Sequence, residues 1–376
     1  MFSGKHYETG TLSNAMAALG APVSEALALG ASGGVAFGYF VFEYKGDLPH
    51  VALLTRNTFS PFERMLDNLA IRRESRETTD GARAEKNLRI ALDDGHFPLV
   101  WADAFSLPYL GLPTSVMWMM KPLLVVGYED DDFLVVDGST DPIRVPASVL
   151  AEARGKVKKD RHRMMIVERP DPGRLAEGLN RGIETAVALM LDKPPAGSPD
   201  NFGIQGMRAF AKVLTDTKGP KAWHSKFEPG PRLVQALAGR IGQPGVWDWI
   251  ETWGTARGGD RGTYAAFLRE ANPALSDLAS QLDVSHQLWL KLASRAMPDE
   301  IAEFKELKAL KRQYSESRED RAKLRPAICC LIEQVGGSEK LASMAGDIRA
   351  SMAETVLQIA EVESEVFHGL RELLKV

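Results

Sequence analysis

The pattern of hydrophobic residues changes once along the chain, at Asp171-Pro172. Before this point, short apolar runs of strand length alternate with helical segments, whereas after it helical periodicity continues to the C-terminus. Asp171 suits a helix N-cap, with Pro172 at the first helical position. Because 376 residues exceed the usual size of a single core, the sequence predicts two domains. Residues 1–170 are expected to be α+β, and residues 171–376 are expected to be all-helical.

The α+β part begins with two predicted helices, a glycine-rich turn and a strand, at residues 8–19, 24–29 and 35–42. Further strands are expected at 51–54, 97–103, 123–127, 133–136, 143–145 and 164–168. Further helices are expected at 59–69, 82–93 and 147–153. Leu107-Pro108-Tyr109 and Leu112-Pro113-Thr114 indicate a loop between two of the strands.

The pattern of the second part predicts helices at 172–191, 204–216, 231–241, 264–271, 274–296, 299–315, 322–335 and 338–374. The first of these helices is expected to end before the segment 193–197, which is rich in proline. The last helix carries one apolar seam, formed by Ala345, Ile348, Met352, Ile359, Val362, Val366 and Leu373. The seam packs either on its own domain or against a second copy in a homodimer.

The composition is that of an ordinary globular protein, with 44% hydrophobic and 26% charged residues. A net charge of −4 is too small to predict a nucleic-acid or membrane partner. Cys329 and Cys330 are adjacent and cannot form a disulfide framework. The first residues lack a secretory signal pattern and no apolar run reaches about 18 residues. The sequence therefore predicts a cytoplasmic protein.

Gly30-Ala31-Ser32-Gly33-Gly34 fits the G-x-S-x-G pattern of a nucleophile elbow. Such an elbow needs a strand before the serine and a helix after it, whereas here the predicted order is reversed. The segment is better explained as a flexible turn whose backbone amides could line a cleft. The histidines show no metal-ligand spacing with cysteines or carboxylates, so no metal site is predicted.

Several short segments, taken in order, carry a resemblance to a known family. They are residues 6–14, Ser24-Glu25-Ala26, residues 30–34, Phe37-Gly38-Tyr39, Thr55-Arg56, residues 103–109 and the hairpin from Val125 to Asp137. Together they resemble the domain named after butirosin biosynthesis protein H, whose members look like papain-fold acyltransferases. The C-terminal half is similar to the helical domain of unknown function that commonly follows it. The likeness is carried there by Thr252-Trp253, Gly258-Gly259, Arg261, Tyr264, Phe267-Leu268 and Glu270-Ala271.

The resemblance implies transfer of an acyl or aminoacyl group from a carrier-protein or small thioester to an amine in specialised metabolism. The family pattern has a cysteine at the position of Tyr7, a histidine at Lys121 and an acid at Asp137. Two of these catalytic positions therefore depart from the pattern. No cofactor is expected beyond a phosphopantetheine-linked substrate.

The replacement of Cys and His by Tyr7 and Lys121 leaves three functional hypotheses open. A phenol is a poor nucleophile near neutral pH, but a thioester is already activated. Holding an amine against it can lower the barrier by about 7–11 kcal/mol through proximity alone. Direct aminolysis is one hypothesis, and an acid–base couple of Tyr7 and Lys121 with repurposed chemistry is another. The remaining hypothesis is a catalytically retired binding or scaffold protein.

Other residues are candidates for contacts with substrate or partner. The expected substrate-binding residues are His6, Glu25, Ser32, Tyr39 and Arg56, although Glu25 and Arg56 could equally form a structural ion pair. His6 is either a fallback base beside Tyr7 or a solvated histidine. A basic run could dock an acidic acyl carrier protein or could simply be a solvated connector between a helix and a strand. Its residues are Lys156, Lys158, Lys159 and Arg161.

Overall fold

The computed structural model describes residues 2–113, 118–138, 141–192, 199–253 and 256–374. The fold is α+β, with antiparallel sheets followed by helices, as the sequence predicts. Thr114 of the expected loop and the proline-rich segment 193–197 lie outside the described residues. No helix in the described part is long and apolar enough to cross a membrane.

In the part of the chain that the structure describes, six strands form one sheet and two strands form a separate hairpin. The order in the larger sheet is β3-β8-β4-β5-β6-β7, and each neighbouring pair is antiparallel. The strands are β1 (Val35–Phe42), β2 (His50–Arg56), β3 (Ile71–Arg76), β4 (Leu99–Asp103), β5 (Met120–Glu129), β6 (Asp132–Val136), β7 (Ile143–Pro146) and β8 (Met164–Pro170).

The helices follow the predicted order, with a few differences in their ends. Those up to the middle of the chain are α1 (Thr9–Ala18), α2 (Glu25–Ala31), α3 (Pro61–Asn68), α4 (Gly81–Asp93), α5 (Ala147–Gly155), α6 (Leu175–Leu191) and α7 (Gly203–Thr215). The remaining helices are α8 (Trp223–Lys226), α9 (Pro231–Leu237), α10 (Val246–Glu251), α11 (Arg261–Ala271), α12 (Ser276–Ala296), α13 (Ala302–Glu316), α14 (Arg321–Gly336) and α15 (Glu339–Leu374).

Three elements were absent from the sequence-based expectation: β3, α8 and α10. β3 has the sequence Ile-Arg-Arg-Glu-Ser-Arg and buries only Ile71, so it lacks the alternation that marks a strand. Its charged side chains suit its place at the edge of the sheet. The two helices are four and six residues long, too short to show helical periodicity.

Helix α9 ends at Leu237 rather than continuing to residue 241. Gly239 takes a left-handed conformation (φ 64°) and its amide donates to the carbonyls of Val234 and Gln235. This is a glycine C-cap, which satisfies the last carbonyls of the helix and stops it. The glycine therefore overrides the apolar pattern beyond it.

Contact density divides the described chain into two compact units, and the division falls inside α6. The first unit contains residues 1–32 and 60–181, and the second contains residues 33–59 and 182–376. The hairpin of β1 and β2 thus belongs to the unit that holds the C-terminal helices. The sequence-based division at about residue 170 stays a prediction.

In the first unit, helices α4 and α5 pack with the sheet to form a hydrophobic core. Alternate residues of β4, β5, β6 and β8 belong to this core, as the pleat of a strand requires. Leu123 and Val125 of β5 and Phe133 and Val135 of β6 belong to it. The same alternation determines which residues at the ends of these strands lie on the face of the sheet that is turned towards the core.

In the second unit, the apolar seam of α15 packs against α7 and α12. Ala345, Met352, Ile359 and Val366 are buried there, while Leu373 at the end is 60% exposed. The seam thus packs on its own unit, as one of the two alternatives predicted. Formation of a homodimer stays a prediction.

A buried ion pair lies at the centre of the second unit. Arg261 of α11 and Glu363 of α15 have no exposed side-chain surface, and two nitrogens of the guanidinium bond to the carboxylate at 2.8 and 2.9 Å. Ser285 and Trp289 donate to the same carboxylate. The guanidinium also donates to the carbonyls of Thr55, Gly259 and Ala36. Several parts of the unit therefore meet at one charged group.

We expect Glu363→Ala to lower the free energy of unfolding by about 3–5 kcal/mol, because it leaves the guanidinium of Arg261 buried without a counter-charge. Glu365→Ala, two residues along the same helix at an exposed position, is the matched control and should leave stability unchanged. Urea unfolding followed by circular dichroism measures both. Equal stability of the two variants would contradict the structural role of the pair.

Candidate functional site

Lys121 and Asp137 form a buried ion pair at neighbouring strand ends. Lys121 is the second residue of β5 and Asp137 directly follows β6. Both continue the alternate positions that face the core of the first unit. Nζ of Lys121 lies 2.5 Å from Oδ1 of Asp137, and the two side chains are 8% and 4% exposed. The structure therefore brings together two of the three predicted catalytic residues.

Tyr109 is a member of this site that the sequence analysis did not single out. Its hydroxyl donates to Oδ2 of Asp137 at 2.9 Å, so the carboxylate receives the ammonium on one oxygen and a phenol on the other. In the sequence, Tyr109 stands within the segment 103–109 that carried part of the family resemblance. The sequence analysis interpreted it only as part of a loop, because sequence spacing cannot show which residues a loop side chain will contact.

Asp103, fully buried at the end of β4, shapes the loop that carries Tyr109. Its carboxylate accepts the hydroxyl of Ser106 at 2.7 Å and the amide of Met119 at 2.8 Å. The first contact fixes the start of the loop and the second fixes the entry to β5. The side chain of Asp103 thus bonds both to the start of the loop that leads to Tyr109 and to the residue that precedes β5.

Helix α1 is attached to the same strand ends through its polar side chains. The hydroxyl of Thr11 donates to the carbonyl of Tyr7 at 2.8 Å and also lies 3.4 Å from the carbonyl of Pro122. The amide nitrogen of Asn14 donates to the carbonyl of Gly138 at 3.0 Å. Pro122 and Gly138 directly follow Lys121 and Asp137 in the sequence. Side chains of α1 therefore form hydrogen bonds to the backbone next to each member of the ion pair.

Tyr7 lies just before the first turn of α1 and is half-buried. Its ring is tilted by 33° against the ring of His6, with the centroids 4.3 Å apart. Thr11 connects the backbone of Tyr7 to the strand of Lys121, as described above. That the phenol of Tyr7 itself meets Lys121 and Asp137 stays a prediction.

His6 and Glu25 organise the entry to α1. His6 is buried rather than solvated, and its Nδ1 accepts the amides of Glu8 and Thr9. The carboxylate of Glu25 accepts the amides of Lys5 and His6 at 2.9 and 2.8 Å, together with the hydroxyl of Thr9 at 3.0 Å. Glu25 thus fastens the entry segment to α2, and these contacts give it a structural function.

Ser32 lies at the C-terminal end of α2, and β1 follows it after two glycines. It is buried, and its hydroxyl donates to the carbonyl of Leu29 at 2.6 Å. The helix before the serine and the strand after it are the reverse of a nucleophile elbow, as the sequence analysis predicted. A function of Ser32 in substrate binding stays a prediction.

Tyr39 and Arg56 belong to the second unit, where each has partners of that unit. Tyr39 accepts the indole N–H of Trp223 at 2.8 Å and stacks on Phe210. Burial raises the pKa of Tyr39, and the hydrogen bond from Trp223 partly opposes this increase. Arg56 donates to both carboxylate oxygens of Asp260, which is fully buried. These contacts correspond to the structural ion pair that the sequence left as an alternative for Arg56.

The basic run lies between α5 and β8, as predicted, and contains a single turn of 3-10 helix at Lys158–Asp160. Lys156, Lys158, Lys159 and Arg161 are all exposed. Among the described residues, no group of three or more His, Cys, Asp and Glu side chains is arranged to hold a metal ion.

Residues 6–138 match the family model described as "Butirosin biosynthesis protein H, N-terminal". This segment is a butirosin-H-type domain. It includes Tyr7, Lys121, Asp137 and Tyr109, so the whole group around the buried pair lies inside the family domain. No curated protein sequence matches the chain. The candidate site therefore lies within the matched segment.

We expect Asp137→Ala to cost about 3–5 kcal/mol of unfolding free energy, because the ammonium of Lys121 would remain buried without its counter-charge. Tyr109→Phe should cost about 1–3 kcal/mol, since it removes one hydrogen bond to a charged group. Tyr128→Phe is the matched control, because Tyr128 bonds to Asp93 in an exposed pair. Thermal and urea unfolding of the three variants should rank them in this order. A cost for Tyr109→Phe no greater than that of the control would contradict its place in the site.

Proposed function

We propose that the butirosin-H-type domain transfers an acyl or aminoacyl group from a thioester to an amine without a cysteine nucleophile. The observation that carries this proposal is the buried group of Lys121, Asp137 and Tyr109 inside the family domain. A buried charged pair costs desolvation free energy, so a well-packed apolar pair would serve stability equally well or better. Ionisable groups that are buried and paired with a specific partner are common at functional sites.

The chemistry would use the pair as a fixed electrostatic environment. The amine nitrogen attacks the thioester carbonyl, the new C–N bond forms, the C–S bond breaks, and the proton lost by the amine neutralises the leaving thiolate. The ammonium of Lys121, held by Asp137, would stabilise the negative charge that develops on the carbonyl oxygen. Because the ion pair with Asp137 contains Lys121 as an ammonium, which has no lone pair, Lys121 is better suited to charge stabilisation than to nucleophilic attack.

In this proposal Tyr7 acts as the acid–base group that carries the proton from the amine to the thiolate. Its place at the N-terminus of α1 supports the assignment, because the helix dipole favours a developing anion there. The hydrogen bonds of Thr11 fix the backbone of Tyr7 relative to the strand of Lys121. A covalent enzyme intermediate is not needed, since the thioester is already activated.

The remaining assignments belong to the same proposal. They comprise the papain-like architecture of residues 1–170, a biosynthetic function in specialised metabolism, a carrier-protein or small thioester as donor and a cytoplasmic location. His6, Glu25 and Ser32 would contribute through the shape of the entry segment and the turn after α2. The name of the matching family supports the biosynthetic setting.

A catalytically retired binding or scaffold protein is the second candidate. The observation in its favour is that the ammonium of Lys121 is already neutralised by a carboxylate at 2.5 Å. In a retired site such a pair would only fill the space left by the catalytic residues. An enzyme with repurposed acid–base chemistry at Tyr7 is a variant of the main proposal with a different substrate.

The test uses the full-length protein, acyl thioesters of small thiols and of acyl carrier proteins, and a panel of primary amines. Amide formation followed by mass spectrometry should be detected with the wild-type protein. Tyr7→Phe and Lys121→Met should each reduce the rate by about 10²-fold or more. The double variant Cys329→Ser with Cys330→Ser should keep full activity, because the proposed reaction uses no cysteine nucleophile.

Tyr128→Phe serves as the control for the loss of a phenol elsewhere in the same unit. Unchanged rates in Tyr7→Phe and Lys121→Met, with circular dichroism showing intact folds, would remove these residues from the mechanism. Loss of turnover in the cysteine double variant would contradict a reaction without a cysteine nucleophile. Absence of amide product with every thioester would favour the scaffold candidate.

A further inference from the structure

We infer that Trp118 and the exposed cations of the loop between α5 and β8 form a binding surface for a nucleotide. We name this surface the Trp118 surface, and it consists of Trp118, Lys156, Lys158, Lys159 and Arg161. An adenine-like base would stack on the indole, and the phosphates would lie against the cations. The inference assigns a ligand class to a surface of the first unit that is separate from the buried pair.

The cations of this surface are largely free of counter-charges. The ammonium groups of Lys156, Lys158 and Lys159 form no ion pair with another described residue. Within the described ranges, the ion pair of Arg161 is a long and exposed contact with Glu77, at 3.8 Å. Such a pair contributes little energy in water. Several positive charges within six residues therefore remain available to an anionic ligand.

Trp118 provides an aromatic face beside these charges. Its side chain is 52% exposed, which is unusual for so large an apolar group. The ammonium of Lys159 lies 5.4 Å from the centroid of the indole ring. A cation at this distance is attracted by the ring, and the contact shows that the loop and the indole share one surface.

The backbone on both sides of the surface is fixed. Arg154 is 3% exposed and donates to the carbonyl of His162 at 2.8 Å, while the carbonyl of Arg161 accepts the amide of Thr78 at 2.8 Å. Next to Trp118, the amide of Met119 is bound by the buried carboxylate of Asp103. The chain segments that contain the cations and the indole are thus each held by hydrogen bonds within the first unit.

A nucleotide fits this combination better than an acidic protein surface or a plain solvated connector does. Aromatic side chains bind bases by stacking, at about 1–3 kcal/mol per base, and lysines bind phosphates as point charges. An acidic protein would use the cations but would leave the exposed indole unexplained. A plain solvated connector would explain neither the exposed indole nor its contact with the cationic loop.

The position of Trp118 links this surface to the thioester chemistry, and this link rests on the proposed function. Trp118 precedes Lys121 by three residues, so their Cα atoms are no more than about 11 Å apart. A thioester of coenzyme A carries adenine and phosphates at one end of a flexible arm and the acyl group at the other. The surface therefore points to a nucleotide-bearing thioester as substrate class, rather than one attached to a protein.

Binding of ADP to the full-length protein, measured by isothermal titration calorimetry at low salt, tests the inference without any turnover. We expect Trp118→Ala, and the double variant Lys158→Glu with Lys159→Glu, each to weaken ADP binding by about tenfold or more. Inorganic pyrophosphate should lose affinity only in the lysine variant, and adenosine only in Trp118→Ala. Raising the salt concentration should weaken the binding of ADP and pyrophosphate but not that of adenosine.

Matched controls are Tyr44→Ala, which removes another half-exposed aromatic ring, and the double variant Lys45→Glu with Lys86→Glu, at exposed positions outside the surface. Both controls should bind ADP as the wild type does. Failure of ADP to bind, or equal binding by all variants, would overturn the inference. Lysine-dependent binding of polyglutamate in place of ADP would also overturn it, in favour of an acidic protein partner. Because no reaction is measured, these outcomes are independent of whether the thioester chemistry exists.

Discussion

The attachment of helix α1 to two strand ends is the constraint on which the candidate site depends. A buried ammonium and carboxylate stay paired only if the main chain under each is held in place, because small displacements in a low-dielectric interior are costly. Asn14 fulfils part of this requirement by donating to the carbonyl of Gly138 while its oxygen accepts the amides of Ser3 and Gly4. One side chain thereby joins the N-terminal segment, the helix and the end of β6.

Much of the fold could be predicted from the sequence, because most elements follow a clear hydrophobic period. The bounds of β1 agree with the predicted strand, and the change to a helical pattern after Asp171 is present in the structure. β3 was missed because an edge strand with one buried residue has no alternation to detect. α9 was predicted too long because the left-handed glycine that ends it acts through local backbone geometry and not through hydropathy.

The site was only partly accessible to sequence reasoning. Lys121 and Asp137 were predicted from the family resemblance, and the structure places them in contact. Tyr109 was missed because a loop residue reaches its partner through a fold of the chain that spacing does not encode. Arg56 and Tyr39 lie within segments that carried the family resemblance, yet their side chains bond to Asp260 and Trp223 in the second unit. The position of a residue within a family segment therefore says less about its function than the residue to which its side chain bonds.

The pairing of Lys121 with Asp137 limits which substitutions this protein can accept. Loss of either charge alone would leave the other buried without a counter-charge, so a variant with one substitution would fold poorly. The two positions are thus coupled and can change only together.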